Sequence, residues 1–166
     1  MVQSIQVNNL SYRSMKSYAV ASLFVLANIA LPQLFHLFNL SGVAYLPIIL
    51  FTMVGVMVYG RSVGMITAIA SPLISYAILG MPSLEMSVVV MAKGLAFAAV
   101  LGYYASKNSK ISLLNVITAI VAYQVVGFAI SAIVFSFDAA LESMVISYKA
   151  VILQLLVATI LMKLKK

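Results

Sequence analysis

Charged residues in this chain fall almost entirely between long apolar runs. Only 8% of the 166 residues are charged and 64% are hydrophobic, whereas a soluble domain is nearer half apolar and a quarter charged. A helix that crosses the hydrocarbon core of a bilayer needs about 20 predominantly apolar residues. The runs therefore predict an all-α integral membrane protein, a single domain over residues 1–166 with six transmembrane helices at about 15–35, 45–59, 62–79, 86–104, 112–135 and 144–162.

The charges in the predicted connections indicate an orientation. With six spans the connections alternate between two sides, and every basic residue outside a span falls on the side of the termini. Because Lys and Arg are enriched in cytoplasmic loops, both termini are predicted to lie in the cytoplasm of a multi-pass cell (plasma) membrane protein. The terminal side carries Arg13, Lys16, Arg61, Lys107, Lys110, Lys163, Lys165 and Lys166, and the other side His36, Glu85, Asp138 and Glu142.

Several kinds of chemistry are not predicted for this sequence. The net charge of +7 comes from residues that flank apolar runs, without the aromatic-interleaved basic patch of a nucleic-acid binder, so no nucleic-acid partner is expected. There is no cysteine, and one histidine and three acids offer neither a metal site nor much acid–base catalysis. No phosphate-binding loop for ATP is present. We therefore expect no enzyme activity, no metal and no cofactor.

Two lysines, Lys93 and Lys149, lie inside predicted spans. Each follows a residue near the outer membrane surface, Met86 or Glu142, by seven positions, which is about 10 Å along a helix. An unpaired lysine at mid-membrane costs about 2.5–3.5 kcal/mol on insertion scales. The two lysines therefore predict a polar cavity that binds the carboxylate or phosphate of a ligand. The alternative is that they extend to the interface, with Glu85 and Glu142 as neutralising partners.

Aromatic and polar residues near the predicted outer side complete the candidate ligand site. His36 and Tyr45 belong to the connection after the first span, and Tyr76 lies near the end of the third. These side chains offer a lid or flat faces for a ring, although an interfacial position alone would also explain His36. The predicted ligand-binding residues are Lys93, Lys149, His36, Tyr45, Tyr76 and Glu85.

Small residues recur at a spacing of four. The pairs are Ser17 with Ala21 in the first span and Gly60 with Gly64 at the start of the third, and the fourth span carries Gly94, Ala98 and Gly102. This spacing allows helices to approach closely. Packing within the bundle is preferred for the fourth span. For Ser17, Ala21, Gly60 and Gly64, docking of a partner protein is the alternative to packing within the bundle.

Taken together, these features resemble a known family. Six predicted spans in under 200 residues, small residues on the first span and the run SPLISYAILGMP at 71–82 are similar to the substrate-binding S component of an energy-coupling factor (ECF) transporter. The segment 36–47 and the sequence Gly60-Arg61-Ser62-Val63-Gly64 resemble it too. The similarity extends over essentially the whole chain, and its motifs are specific at the level of the family.

The resemblance implies a function. S components bind a water-soluble vitamin or precursor from outside with high affinity, and deliver it with a transmembrane T subunit and two cytoplasmic ATPases. Their ligand site lies near the outer surface, and an Ala-x-x-x-Ala pattern on the first helix contacts the T subunit. Here Ser17 and Ala21 match that pattern, with serine in place of the first alanine. Members that bind nickel or cobalt have a histidine-rich N-terminus, which this sequence lacks, so an organic ligand is expected.

Two functions of other classes were weighed against this one. A membrane enzyme acting on a lipid would need acids or metal ligands near the cytoplasmic side, where only basic residues are predicted. The remaining alternative is a small membrane assembly factor or channel without a dedicated vitamin ligand. Such a protein would not need two lysines at equal depth on one side.

Overall fold

The computed structural model describes residues 4–37 and 47–164, without the side chains of residues 34–37 and 47. Within these ranges the chain is almost entirely helical. Its elements in chain order are β1 (Ser4–Gln6), α1 (Met15–Leu37), α2 (Pro47–Tyr59), α3 (Arg61–Leu79), α4 (Leu84–Asn108), β2 (Lys110–Ser112), α5 (Leu113–Val134), α6 (Phe137–Ile146) and α7 (Tyr148–Leu164).

Five helical stretches are long and apolar enough to cross a membrane. They are α1, α3, α4, α5 and the run Phe137–Leu164 that α6 and α7 form together. The sequence prediction of apolar helices is thereby confirmed in its coarse form. Helix α2 has 13 residues, or about 20 Å, which is shorter than a hydrocarbon core of about 30 Å. The count of six spans and the cytoplasmic placement of the termini stay predictions.

Two glycines with positive φ set the limits of α3. Gly60, with φ of 89°, separates α2 from α3, and Gly80, with φ of 66°, follows the last residue of α3. The Gly80 N–H donates to the Tyr76 carbonyl, which satisfies one of the carbonyls left free at a helix end. Glycine adopts this left-handed conformation without the steric cost that a Cβ brings. The short connections on either side of α3 follow from these two residues.

The last apolar run begins earlier than predicted and comprises two consecutive helices. The sequence prediction placed the sixth span at 144–162 and left the preceding residues as a connection. Instead, the Ser136 side chain accepts a hydrogen bond from the Ala139 N–H and starts α6 at Phe137. Ser and Thr favour this capping position because they satisfy a free N–H group of the first turn. Ser147 then separates α6 from α7.

The polar N-terminal segment forms a strand that the sequence analysis did not predict. Strand β1 pairs antiparallel with β2, with Ile5 opposite Ile111, and both isoleucines are fully buried. Beyond the strand, the Val7 N–H donates to the Ser109 carbonyl and the Asn8 N–H to the Val58 carbonyl. Helix α7 also contacts β1. The two ends of the described chain therefore meet at one end of the bundle, which we call the sheet end.

Small residues bring α2, α3 and α4 together. A Cβ on Gly94 would lie 3.1 Å from the Ala68 Cβ, and a Cβ on Gly102 would lie 2.7 Å from the Arg61 Cγ. A Cβ on Gly64 would overlap the Val56 side chain. Gly64, assigned from sequence to partner docking or packing, therefore packs inside the chain, and so does the small-residue stripe of α4.

The other predicted docking residues also lie inside the chain. Ser17 and Ala21 are fully buried, and the Ser17 Oγ donates to the Ser11 carbonyl at 2.6 Å. Gly60 is buried as well, and a Cβ there would overlap Asn9. The exposed surface of α1 consists instead of larger residues such as Leu23 and Leu26. The small residues of α1 are therefore not part of its exposed surface.

Replacement of Ser17 by alanine tests the packing role. The variant leaves the Ser11 carbonyl without its side-chain donor, and we expect a loss of about 1 kcal/mol in the free energy of unfolding. Equilibrium unfolding in mixed detergent micelles would measure it. Replacement of the exposed Ser106 by alanine, which also removes a hydroxyl bonded to a carbonyl, is the matched control and should cost less. An unchanged stability for Ser17→Ala would speak against an internal role.

Candidate functional site

A cavity of about 310 Å³ lies between α4, α5 and α6, away from the sheet end. Most of its lining is apolar, which suits the body of an organic ligand, and a few polar groups are placed among the apolar ones. Two of these polar groups carry opposite charges. The lining residues are Met86, Val89, Val90, Lys93, Ser131, Phe135, Ala139, Glu142, Ser143, Ile146 and Ser147.

Lys93 is the buried charge of this cavity. Its side chain is only 4% exposed, and its Nζ donates to the Ser143 Oγ at 3.4 Å. A hydroxyl at that distance is a weak partner for an ammonium group. A buried charge is stabilised fully only by an opposite charge or by several good hydrogen bonds. The ammonium is therefore placed to bind an anionic group that enters the cavity.

Gly127 on α5 makes room for the Lys93 side chain. A Cβ added to Gly127 would overlap the Cε of Lys93 and lie 2.7 Å from its Cγ. The aliphatic part of the lysine therefore lies directly against the backbone of α5. This contact determines where the ammonium group can sit, so Gly127 is a positioning residue for Lys93. The sequence analysis did not single it out, although Gly127 and Ser131 form a pair of small residues spaced by four.

Gly127→Ala is expected to displace the Lys93 ammonium and to weaken binding of an anionic ligand by about tenfold or more. Alanine also favours a helix over glycine by about 0.5–1 kcal/mol, so the bundle should stay folded. Titration calorimetry with an anion that the wild-type chain binds would measure the effect.

Gly55→Ala is the matched control, since a Cβ there would meet Val63 and Phe24 at ordinary contact distances of 3.4 and 3.5 Å. Equal affinities for the two alanine variants would contradict the positioning role of Gly127.

A pair of aromatic rings closes the space on the sheet side of Lys93. Phe97, one turn along α4 from Lys93, packs against Tyr123 with ring centroids 5.7 Å apart, and both residues are fully buried. The Tyr123 hydroxyl donates to the Gln154 Oε1 of α7 at 3.2 Å. These contacts join α4, α5 and α7 on the sheet side of Lys93.

Ser147, at the break between α6 and α7, connects the cavity to α5. Its side chain is 2% exposed, accepts a hydrogen bond from the Gln124 Nε2 at 2.7 Å and donates to the Met144 carbonyl at 2.8 Å. The backbone at Ser147 keeps helical dihedral angles, and its N–H donates to the Ser143 carbonyl while its carbonyl accepts from the Val151 N–H. Gln124 is therefore a structural link between α5 and the junction of α6 with α7.

The two lysines within the apolar helices have different surroundings in the structure. Lys149 is exposed, does not line the cavity and has its Nζ 6.0 Å from the Tyr148 ring centroid. The sequence analysis treated the two lysines as equivalent because they lie equally far along their helices. In the structure, Lys93 faces the interior of the bundle and Lys149 faces its surface. The cavity supports the predicted role of Lys93 and gives Lys149 no part in it.

The other predicted ligand-binding residues are not brought to the cavity. Tyr76 and Glu85 are exposed and absent from its lining. Tyr45 and the side chain of His36 lie outside the described part of the structure, so their role stays a prediction. The sequence analysis named Glu142 only as a neutralising partner and did not single out Ser131, Ser143 and Ser147. Serines repeated within an apolar stretch were the one signal that pointed to them.

Comparisons of the chain with protein-family models, with curated protein sequences and with solved structures found no significant match. What the chain does is therefore inferred from its own residues.

Proposed function

We propose that this chain is a membrane-embedded solute-binding protein that holds an organic anion in the cavity beside Lys93. The observation that carries the proposal is the buried Lys93 ammonium, which lines a cavity and has a single weak hydroxyl partner among the described residues. In a membrane protein, an ionisable residue facing an internal cavity marks a site of function by default. The surrounding apolar lining supplies the burial that a small organic ligand needs.

The charge distribution supports binding from outside the cell. At the sheet end, Arg61 begins α3, Lys107 lies in the last turn of α4 and Lys110 lies in β2. The cavity lies toward the other end, where Glu85 occupies the first turn of α4 and Asp138 the first turn of α6. If the basic end faces the cytoplasm, as the positive-inside rule predicts, the cavity is nearer the outer surface.

The resemblance to ECF transporter S components extends the proposal to import. In that role the six predicted spans would lie in the plasma membrane, and a T subunit with two ATPases would drive delivery of a vitamin or precursor. The buried position of Ser17 and Ala21 means that docking through this pair would require α1 to move from the bundle. Contact through the exposed face of α1, around Leu23 and Leu26, needs no such movement.

The experiment that tests the proposal is a binding screen of the full chain in lipid nanodiscs against water-soluble vitamins and their anionic precursors, followed by thermal unfolding. A ligand at 100 times its dissociation constant adds about 2.7 kcal/mol of stability, which is readily measured. Stabilisation by a carboxylate or phosphate compound would support the proposal. A screen in which no anionic compound stabilises the chain, or in which stabilisation persists in Lys93→Met, would contradict it.

A further inference from the structure

We propose that the cavity selects a dipolar ligand, a small molecule with an apolar body that carries an anionic group for Lys93 and a cationic group for Glu142. This inference rests on the proposed function, and it assigns the charge class of the ligand. It starts from the observation that one cavity is lined by both a lysine and a glutamate.

The two charges occupy different parts of the cavity. Lys93 on α4 is 4% exposed, whereas Glu142 on α6 is exposed. The ammonium is therefore inside, and the carboxylate lies where the cavity opens. Glu142 directly precedes Ser143, the residue whose Oγ accepts from the Lys93 Nζ, so both charges belong to the same part of the α4–α6 contact.

The two charges do not satisfy each other in this arrangement. Among the described residues, the hydrogen bond of the Lys93 ammonium goes to the Ser143 hydroxyl and not to the Glu142 carboxylate. A cavity with separated opposite charges presents an electric dipole to whatever enters it. A molecule with the opposite dipole gains at both ends, and its apolar body contacts Met86, Val90 and Phe135 between them.

Ligands with one charge are disfavoured by the same arrangement. A simple anion pairs with Lys93 but lies near a second carboxylate, and a simple cation pairs with Glu142 but lies near the ammonium. Like charges repel, strongly beside the buried Lys93 and less strongly beside the exposed Glu142, where water raises the effective dielectric constant. A specific site gains selectivity from such repulsion as well as from attraction. Glu142 is thus a specificity residue, whereas Lys93 is the anchor.

Two sets of matched probes test this inference. The first shares a phenyl ring and consists of phenylalanine, 3-phenylpropanoate and 2-phenylethylamine. The second shares a branched alkyl group and consists of leucine, 4-methylpentanoate and isopentylamine. Each set contains a dipolar, an anionic and a cationic member, and binding of each to the full chain in nanodiscs is measured by titration calorimetry up to millimolar concentration.

We expect the dipolar member of a set to bind at least about tenfold more tightly than its anionic member, a difference of about 1.4 kcal/mol. Glu142→Gln should weaken the dipolar probe and strengthen the anionic one, which narrows or reverses the preference. Asp138→Asn is the matched control, because Asp138 is an exposed acid outside the cavity lining, and it should leave both affinities unchanged.

The other outcomes separate this inference from the proposed function. If Glu142→Gln strengthens dipolar and anionic probes alike, Glu142 is only an internal counter-ion of Lys93, and the dipolar class is wrong while the anion site stands. Lys93-dependent binding of anions that is as tight as that of dipolar probes, and unaffected by Glu142→Gln, would also show that the dipolar class is wrong while the anion site stands. If neither set shows any Lys93-dependent binding, the anion site itself is contradicted and both proposals fall.

Discussion

Lys93→Met is expected to weaken binding of an anionic or dipolar ligand by about 10- to 100-fold, while the chain stays folded. A hydrogen bond to a charged group contributes about 1.5–3 kcal/mol, and each 1.4 kcal/mol is a factor of ten in affinity. The methionine fills a similar volume and removes a charge that costs about 2.5–3.5 kcal/mol at mid-membrane. Calorimetry would measure the affinity, and thermal unfolding without ligand should show a stability at least equal to that of the wild type.

Lys149→Met is the matched control for this experiment. It removes the other intramembrane lysine, which is exposed and lies outside the cavity lining, so ligand affinity should not change. A large loss of affinity in Lys149→Met together with none in Lys93→Met would reverse the assignment and show that the cavity beside Lys93 is not the ligand site.

Phe97→Ala is expected to lower the free energy of unfolding by about 3–5 kcal/mol, the usual cost of truncating a buried phenylalanine. Phe97 is fully buried and contacts Tyr123 in a tilted ring pair, so the variant leaves a cavity beneath Lys93 and loses a ring contact. Because the new space adjoins the site, ligand affinity should fall as well. Equilibrium unfolding in mixed detergent micelles would measure the stability.

Tyr103→Ala serves as the control on the same helix. Tyr103 is 55% exposed and contacts the Tyr104 ring and the exposed Lys107 ammonium, so its loss should cost less than about 1.5 kcal/mol. If the two variants were equally destabilised, the ring pair beneath Lys93 would not be part of the core that holds α4 and α5 together.

The helices were predictable where the sequence carries local signals for them. Helix α3 was predicted at 62–79 and spans Arg61–Leu79, because Gly60 and Gly80 mark its limits. Helix α4 was predicted at 86–104 and spans Leu84–Asn108. There the Ser83 cap starts the helix earlier, and a polar final turn continues it beyond the apolar run. Hydropathy detects apolar surface, and it does not detect where backbone hydrogen bonding stops.

The site was predictable only in part. The position of a residue along a helix does not show whether its side chain faces the interior of the bundle or the surface. Because Lys93 and Lys149 are equally far from the predicted outer ends of their helices, the sequence analysis assigned both to the ligand site. The neighbours of each side chain in the structure distinguish them. Lys93 lies against Gly127 and donates to Ser143, contacts between residues far apart in the chain. The break at Ser147 and the inclusion of Glu142 in the cavity likewise depend on how α6 packs on α5, which no local pattern encodes.

The pairing of β1 with β2 has a consequence for the order of events during synthesis. Ser4 leaves the ribosome about 100 residues before its partner Ser112, which at about 5–20 residues per second is a delay of about 5–20 seconds. Throughout that interval Ile5 has no strand to pair with, while α1 to α4 are being made. The sheet can therefore form only after these helices have been synthesised. The pairing of β1 with β2 is thus a late step, and it requires the helices to have brought both strands to the same end of the bundle.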